Sequence, residues 1–139
     1  MFPAAHNTLI QTVDATDLAD LLAEAGEAVT YVDQNWVVQF CNDVYLANVG
    51  LHRNEVIGFT PFEFMPLFKR SIFYEAMEIC RLNRKPLTRI GFSTALNRWL
   101  LVRVFPVGSG ILIMGNDASE SVVKQYQLAQ KIEIGRAHV

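Results

Sequence analysis

The stretch Ala28–Gly58 constrains the fold of this chain more than any other, because its secondary-structure preference changes twice within it. Ala28–Val32 is apolar and rich in β-branched residues, which predicts a buried strand. Asp33-Gln34-Asn35 offers side chains that hydrogen-bond the backbone of a turn. Trp36–Cys41 is again β-prone, so the two runs predict an antiparallel hairpin.

At Asn42 the pattern changes from strand to helix. Asn42 is a favoured helix N-cap, and Asp43 suits the positive first turn. Gly50 is a natural helix terminator. We therefore predict that the second strand passes directly through Asn42 into a helix that ends at Gly50.

The composition describes one domain with a substantial core. The chain has 139 residues, of which 51% are hydrophobic and 19% charged, which argues against disorder and suggests that a partner or second copy covers some apolar surface. The net charge of −2 gives no sign of a nucleic-acid-binding surface.

The cysteine pattern and the apolar runs bear on compartment. Cys41 and Cys80 are isolated, with neither CxxC spacing nor a histidine cluster, so we expect reduced thiols and no metal site. No apolar run approaches the roughly 18 residues that cross a bilayer, and the N-terminus lacks the pattern of a secretion signal. These features predict a cytoplasmic domain without direct membrane contact.

Residues 1–27 are predicted to form a lead-in and an amphipathic helix. Asp14 is a plausible N-cap, and Gly26 ends the helix just before the first strand. This helix either packs on its own sheet or forms a dimer contact, and the sequence favours neither. Its apolar face consists of Leu18, Leu21, Leu22 and Ala25.

The rest of the chain alternates between a helical middle and a second block of strands. We predict one helical turn in Leu51–Gly58, an aromatic, proline-broken connector in Phe59–Phe68 and a longer helix in Lys69–Arg84. Separated hairpin blocks around a helical middle indicate an α+β domain with an antiparallel sheet, whose helices cover one face. The later strands are predicted at Leu87–Thr94, Asn97–Val107 and Ile111–Met114.

This arrangement resembles the PAS domain family over residues 28–120. The resemblance implies a five-stranded antiparallel sheet in the order 2-1-5-4-3, which cups a pocket under the middle helices. Such domains bind ligands, cofactors or each other and are rarely enzymes. Ala118 departs mildly from the pattern, because a larger aliphatic residue is usual there. The residues that carry the resemblance are Asp33, Asn42, Asn54–Gly58, Arg98-Trp99, Phe105-Pro106, Ile111–Met114 and Asp117–Glu120.

The last part of the resemblance predicts a signal junction. Asp117, Ser119 and Glu120 match the acidic–hydroxyl–acidic pattern with which many PAS domains end before a signalling helix. Residues 121–139 then read as the start of a connector helix, with Val122, Tyr126, Ala129 and Ile132 on one stripe. We expect an output domain beyond it, such as a histidine kinase, a diguanylate cyclase or a transcription regulator, and a homodimer as the working form.

No cofactor is evident from the residues. The Gly-x-Asn-Cys-Arg motif of covalent flavin photoreceptors is absent, and Lys69–Arg84 has no histidine to serve as a haem ligand. His52 lies in a polar helix start, where a capping or solvated role is expected. A haem- or flavin-bearing redox or gas sensor is therefore an alternative rather than the leading interpretation.

The predicted interior is apolar, so a small hydrophobic ligand such as a fatty acid is one hypothesis for the pocket. The other hypothesis, which we prefer, is that the same side chains simply fill the core. The pocket candidates are Tyr45, Val49, Phe59, Phe62, Met65, Phe73, Met77, Phe92, Val104 and Ile113.

The leading functional interpretation is a non-catalytic sensory and dimerisation module of a signalling protein. A small α+β enzyme of the ketosteroid-isomerase type is the alternative from another class, and it needs a pocket acid or base. Each available carboxylate has an ordinary capping, turn or surface role. For Glu55 the family resemblance implies an ion pair to the sheet, with Arg89 or Arg103 as partner.

Overall fold

The computed structural model of the chain describes residue 24 and residues 26–137, with side chains up to residue 131. The residues named for the apolar face of the predicted N-terminal helix, Leu18, Leu21, Leu22 and Ala25, lie outside the described residues. Within the described part of the chain, no helix is both long and apolar enough to cross a membrane.

Five strands form one antiparallel sheet in the order β2-β1-β5-β4-β3, as predicted. The strands are β1 Ala28–Val32, β2 Val38–Cys41, β3 Leu87–Ser93, β4 Arg98–Val107 and β5 Gly110–Asp117. The helices are α1 Asp43–Val49, α2 Arg53–Val56, α3 Pro61–Phe64, α4 Ile72–Asn83 and α5 Ser119–Ala137, with a 3₁₀ turn at Phe68–Arg70. This is the predicted α+β architecture.

The β1–β2 turn is longer than predicted, because Asp33 organises it. Its Oδ1 accepts hydrogen bonds from the backbone N–H groups of Asn35 (2.8 Å) and Val37 (3.1 Å), and Oδ2 accepts one from Gln39 Nε2 (2.8 Å). Partial burial acts to raise the Asp33 pKa, but these hydrogen bonds lower it overall. Trp36, predicted in the strand, instead adopts a left-handed conformation with φ of 67° within this turn. The strand therefore begins at Val38.

Helix α4 begins three residues later than predicted, because Ser71 caps it. Ser71 Oγ accepts a hydrogen bond from Phe73 N at 2.9 Å, while Phe68–Arg70 forms the 3₁₀ turn before it. At the other end, Arg84 adopts the left-handed conformation. Its guanidinium donates to the carbonyl oxygens of Gly110 (3.1 Å) and Gly108, which fixes the end of α4 to the β4–β5 turn.

The core lies between the inner face of the sheet and helices α1 to α4. Ala76, Met77 and Cys80 form the buried stripe of α4. The wholly buried side chains include Val32, Val38, Cys41, Val56, Val104 and Ile111. On β3, Gly91 faces inward and leaves room for Ile72 and Phe73, because a Cβ at residue 91 would overlap the Ile72 side chain. Alternation then places Ile90 and Phe92 on the outer face of the sheet.

Gly110 allows β1 and β5 to approach each other where β5 begins. A Cβ at this position would overlap the carbonyl oxygen of Val32 and lie 2.6 Å from the Tyr31 hydroxyl. That hydroxyl donates a hydrogen bond to Val107 O at 2.9 Å, so the residues around the turn are already in contact. The sequence Gly108-Ser109-Gly110 therefore reflects close backbone packing as well as a turn.

We predict that Gly110→Ala lowers the free energy of unfolding by about 1–3 kcal/mol, because the obstacle is backbone and cannot move aside. Urea denaturation followed by circular dichroism measures the change. Gly115→Ala is the matched control on the same strand, since its Cβ would meet its nearest neighbours at 3.7 Å. Equal stability of the Gly110 variant and the parent chain would contradict the packing argument.

Candidate functional site

Asn42 is the polar centre from which the interior of the domain is built. Its side chain is buried, with 4% of the residue exposed. Oδ1 accepts hydrogen bonds from Tyr45 N, as the predicted cap of α1, and from Val29 N in β1, both at 3.0 Å. Nδ2 donates to Glu27 O at 2.8 Å. One amide thus joins the start of β1 to the start of α1.

Asn42→Ala is expected to lower the free energy of unfolding by about 2–4 kcal/mol, because it removes a helix cap and leaves buried backbone groups without their partner. Chemical denaturation measures this loss. Asn54→Ala on the exposed surface of α2 is the control and should stay close to the parent chain. A loss no larger than that of the control would show that Asn42 is not the polar centre described above.

Charged residues around α2 cap the helix and brace the strand end. Arg53 Nη1 donates to Cys41 O at 2.5 Å, and Nη2 pairs with Asp43 Oδ1 at 2.7 Å. Glu55 Oε1 accepts a hydrogen bond from the backbone N–H of His52 at 3.0 Å, with His52 at the N-cap as expected. The predicted ion pair between Glu55 and the sheet is wrong, since this carboxylate is used in capping.

The structure brings eight of the ten pocket candidates together. Met77, Val104 and Ile113 belong to the buried core, and Tyr45, Val49, Phe62, Met65 and Phe73 pack against it. Phe59 and Phe92 lie apart from them, with 45% and 44% of each residue exposed. Phe92 is on the outer face of the sheet, where its ring meets Trp99 edge-on at 5.7 Å between centroids.

Four aromatic side chains, which we call the aromatic cluster, fill the interior near the β1–β2 turn. The rings of Trp36, Phe62, Phe68 and Tyr74 contact one another in all six pairings, with centroids 5.3–6.0 Å apart. Such tilted and edge-to-face contacts are favourable beyond the area they bury. Only Phe62 was among the pocket candidates. The left-handed turn that places Trp36 here has no clear sequence signal.

Neither of the two concavities considered on the described part of the chain is lined by a pocket candidate. A groove of about 400 Å³ runs along the start of α4, between residues 69 and 79. A smaller cavity of about 170 Å³ lies beside the end of β5 and is lined by Asn48, Arg98 and Asp117 among others. The eight clustered candidates belong to the core or pack against it.

The titratable groups of the interior are held neutral. Burial raises the pKa of the Tyr45 hydroxyl, and the nearby Cys41 thiol adds to this effect. Burial also raises the pKa of both Cys41 and Cys80, which are free thiols, so both stay protonated and weakly nucleophilic. The described residues include no group of three or more histidine, cysteine or acidic side chains placed to hold a metal ion.

The predicted signal junction, Asp117–Glu120, connects the sheet to α5 without a loop. Asp117 Oδ1 accepts a hydrogen bond from Ser119 N at 2.8 Å. The backbone and side-chain hydrogen bonds of Ser119 lower the Asp117 pKa. Ser119 Oγ accepts from Trp99 N at 3.3 Å, and Ala118 N donates to Trp99 O at 2.9 Å. Glu120 makes an exposed pair with Lys124 at 3.0 Å.

Beyond the junction, α5 leaves the body of the domain. Its described side chains are almost all exposed, including Val123 (51%), Tyr126 (65%) and Leu128 (60%). Helices that lack tertiary packing are marginally stable in water, even at the 19 residues of α5. The stability of α5 therefore depends on the hydrogen bonds at its start in the junction. Its exposed apolar side chains are free to contact another surface.

Comparison with known proteins agrees with this architecture. A family model described as "PAS fold" matches residues 22–123. The chain belongs to the PAS family. This membership removes the alternative of a ketosteroid-isomerase-type fold. The comparison with curated proteins gives no significant match.

Solved PAS domains superpose on most of the chain at low sequence identity. The PAS domain of BvgS from Bordetella pertussis is 20% identical, with a TM-score of 0.60 over 82% of this chain and 95% of that one. A sensory box sensor histidine kinase from Vibrio cholerae is 14% identical, with a TM-score of 0.60 over 81% and 96%. The RpfR quorum-sensing receptor PAS domain from Cronobacter turicensis, in complex with BDSF, is 20% identical, with a TM-score of 0.52 over 66% and 93%.

Proposed function

We propose that this PAS domain is a non-catalytic sensory and dimerisation module that relays a conformational change through its junction to an attached output domain. The observation that carries the proposal is the direct bonding of the sheet to α5. Trp99 in β4 contacts both Ala118 and Ser119, while Asp117 at the end of β5 accepts a hydrogen bond from Ser119. A displacement of β4 against β5 would therefore change how α5 begins.

A histidine kinase is the output domain that we favour, since two similar solved domains, from ThkA and from the Vibrio cholerae protein, are described as belonging to histidine kinases. The family consists in general of sensory rather than catalytic modules. Buried, protonated thiols and the neutral interior accord with a cytoplasmic, reducing environment.

The stimulus is proposed to act without a resident cofactor. The interior side chains that were pocket candidates pack against the core, and the aromatic cluster occupies the space beside them. A small hydrophobic ligand would enter by separating α1 to α3 from the sheet, among Tyr45, Val49, Phe62 and Met65. The RpfR PAS domain in complex with BDSF supports the capacity of the fold to hold a bound molecule.

Asp117→Ala in the full signalling protein is expected to leave the domain folded while uncoupling the output from the stimulus. The carboxylate is on the surface, so its loss spares the core, but it removes the hydrogen bond that starts α5. Output activity with and without stimulus measures the coupling. Glu75→Ala, which removes an exposed carboxylate on α4 away from the junction, is the control. Unchanged signalling by the Asp117 variant would refute the relay.

The dimer is proposed to form through α5 and the outer face of the sheet, where Ile90, Phe92 and Trp99 are 37–45% exposed. We expect a native mass of twice 15.7 kDa.

Tyr126→Glu should raise the dimer dissociation constant about tenfold or more, because it places a charge in an apolar contact. Gln127→Glu adds the same charge beside it and is the control. A strict monomer at high concentration, measured by sedimentation, would contradict the proposal.

A further inference from the structure

Arg98 connects helix α1 to the junction. It is the first residue of β4, and its Nη2 donates a hydrogen bond to Asn48 Oδ1, near the end of α1, at 2.8 Å. Its Nη1 lies 3.9 Å from Asp117 Oδ2. One guanidinium thus lies between an amide on the helical side of the domain and the carboxylate that starts α5.

The Nε–H group of this guanidinium has no hydrogen-bond partner among the described residues. The Nε atom itself is buried. Buried donors are nearly always paired, because an unpaired N–H loses its interaction with water without gaining another. The observed arrangement therefore leaves unpaired a donor that a different arrangement of the same groups would pair.

Asp117 offers such an arrangement. Its Oδ1 is bonded to Ser119 N, but Oδ2 is too far from Nη1 at 3.9 Å for a hydrogen bond. Guanidinium and carboxylate groups favour a pair of parallel N–H···O bonds. Both side chains are partly exposed, at 37% and 49%, and both line the cavity of about 170 Å³ beside Asn48. There is room for the two groups to meet.

We propose that Arg98 is a positioning residue with two arrangements, one bonded to Asn48 and the other paired through Nε and an Nη with Asp117. In the second arrangement the carboxylate moves toward Arg98 and its bond to Ser119 N lengthens. A small displacement of α1 from the sheet would release Arg98 from Asn48 and so weaken the start of α5. This inference rests on the proposed relay and names a route from the helices to the junction.

The test uses the 139-residue chain and two substitutions with opposite expectations. Asn48→Ala removes the competing acceptor, so Arg98 should pair with Asp117. The Arg98 Nε–H signal in NMR spectra should then shift when Asp117 is protonated, and the Ser119 amide should exchange with solvent about fivefold faster. Asn48→Asp holds Arg98 at α1 more strongly, and the Ser119 amide should exchange at or below the parent rate.

Two controls separate this exchange of partners from general loosening. Asn116→Ala changes another residue of the same cavity, whose amide bonds to Glu27 rather than Arg98, and should leave both signals unchanged. In an Arg98→Gln background, Asn48→Ala should no longer accelerate exchange at Ser119.

Parent-like signals in Asn48→Ala, or equal acceleration in either control, would overturn the proposal. Should Asn48→Ala fail to fold, faster exchange at Ser119 in Asn48→Asp would overturn it instead, because that variant keeps an acceptor for Arg98. All measurements are made on the domain without an output domain. The exchange of partners by Arg98 can therefore be refuted while the Asp117 variant still shows that the relay exists. Equally, the relay can be refuted in the full protein while the exchange of partners is observed in the domain.

Discussion

The hydrogen bonds of Asn42 are the interaction on which the rest of the domain depends. β2 runs into α1 without a loop, so the direction in which the chain leaves the sheet is set at this residue. Its amide bonds to β1, to the residue before β1 and to the first turn of α1. A buried amide with all of these partners specifies one geometry, whereas an apolar residue would allow several. Because the direction of α1 is fixed in this way, the space between α1 and the sheet in which α2 to α4 pack is fixed as well.

Local chemistry made much of this fold predictable. Asn42, Gly50 and the β-branched run of β1 act on the backbone close to them in sequence. The structure shows Asn42 as the N-cap and Gly50 as the C-cap of α1, and Ala28–Val32 as a strand, as predicted. The strand order came from the family resemblance, because the order and spacing of these local signals resemble those of the family. The observed order β2-β1-β5-β4-β3 confirms it.

The errors arose where a side chain's partner lies far along the chain or where two turn geometries compete. Trp36 is β-prone by residue type. Asp33 indicates a turn, but the sequence does not show that its carboxylate also binds the N–H of Val37 and so extends the turn past Trp36. Phe92 is one of the pocket candidates, yet it lies on the outer face of β3. The inner face is instead filled by Ile72 and Phe73 from α4, opposite Gly91. Alternation separates the two faces of a strand but does not tell which of them a helix covers.

The interior and the junction differ in chemistry, and this difference divides their roles. The interior holds aromatic rings and protonated thiols, and its contacts are numerous and weakly directional. The junction uses a few directional hydrogen bonds among Trp99, Asp117 and Ser119. A close-packed interior moves as a rigid unit and so transmits a displacement. Directional hydrogen bonds respond to a small displacement by changing partner.

The two tryptophans of the chain occupy these two regions. Trp36 lies in the aromatic cluster with the Arg81 guanidinium 5.8 Å from its ring, and Trp99 bonds through its backbone to the first residues of the junction. Indole emission responds to nearby charge and to exposure. The chain thus contains one intrinsic fluorophore in its interior and another at its exit. Replacing each tryptophan in turn with phenylalanine would let the remaining one report, without an added label, whether the interior or the junction moves first.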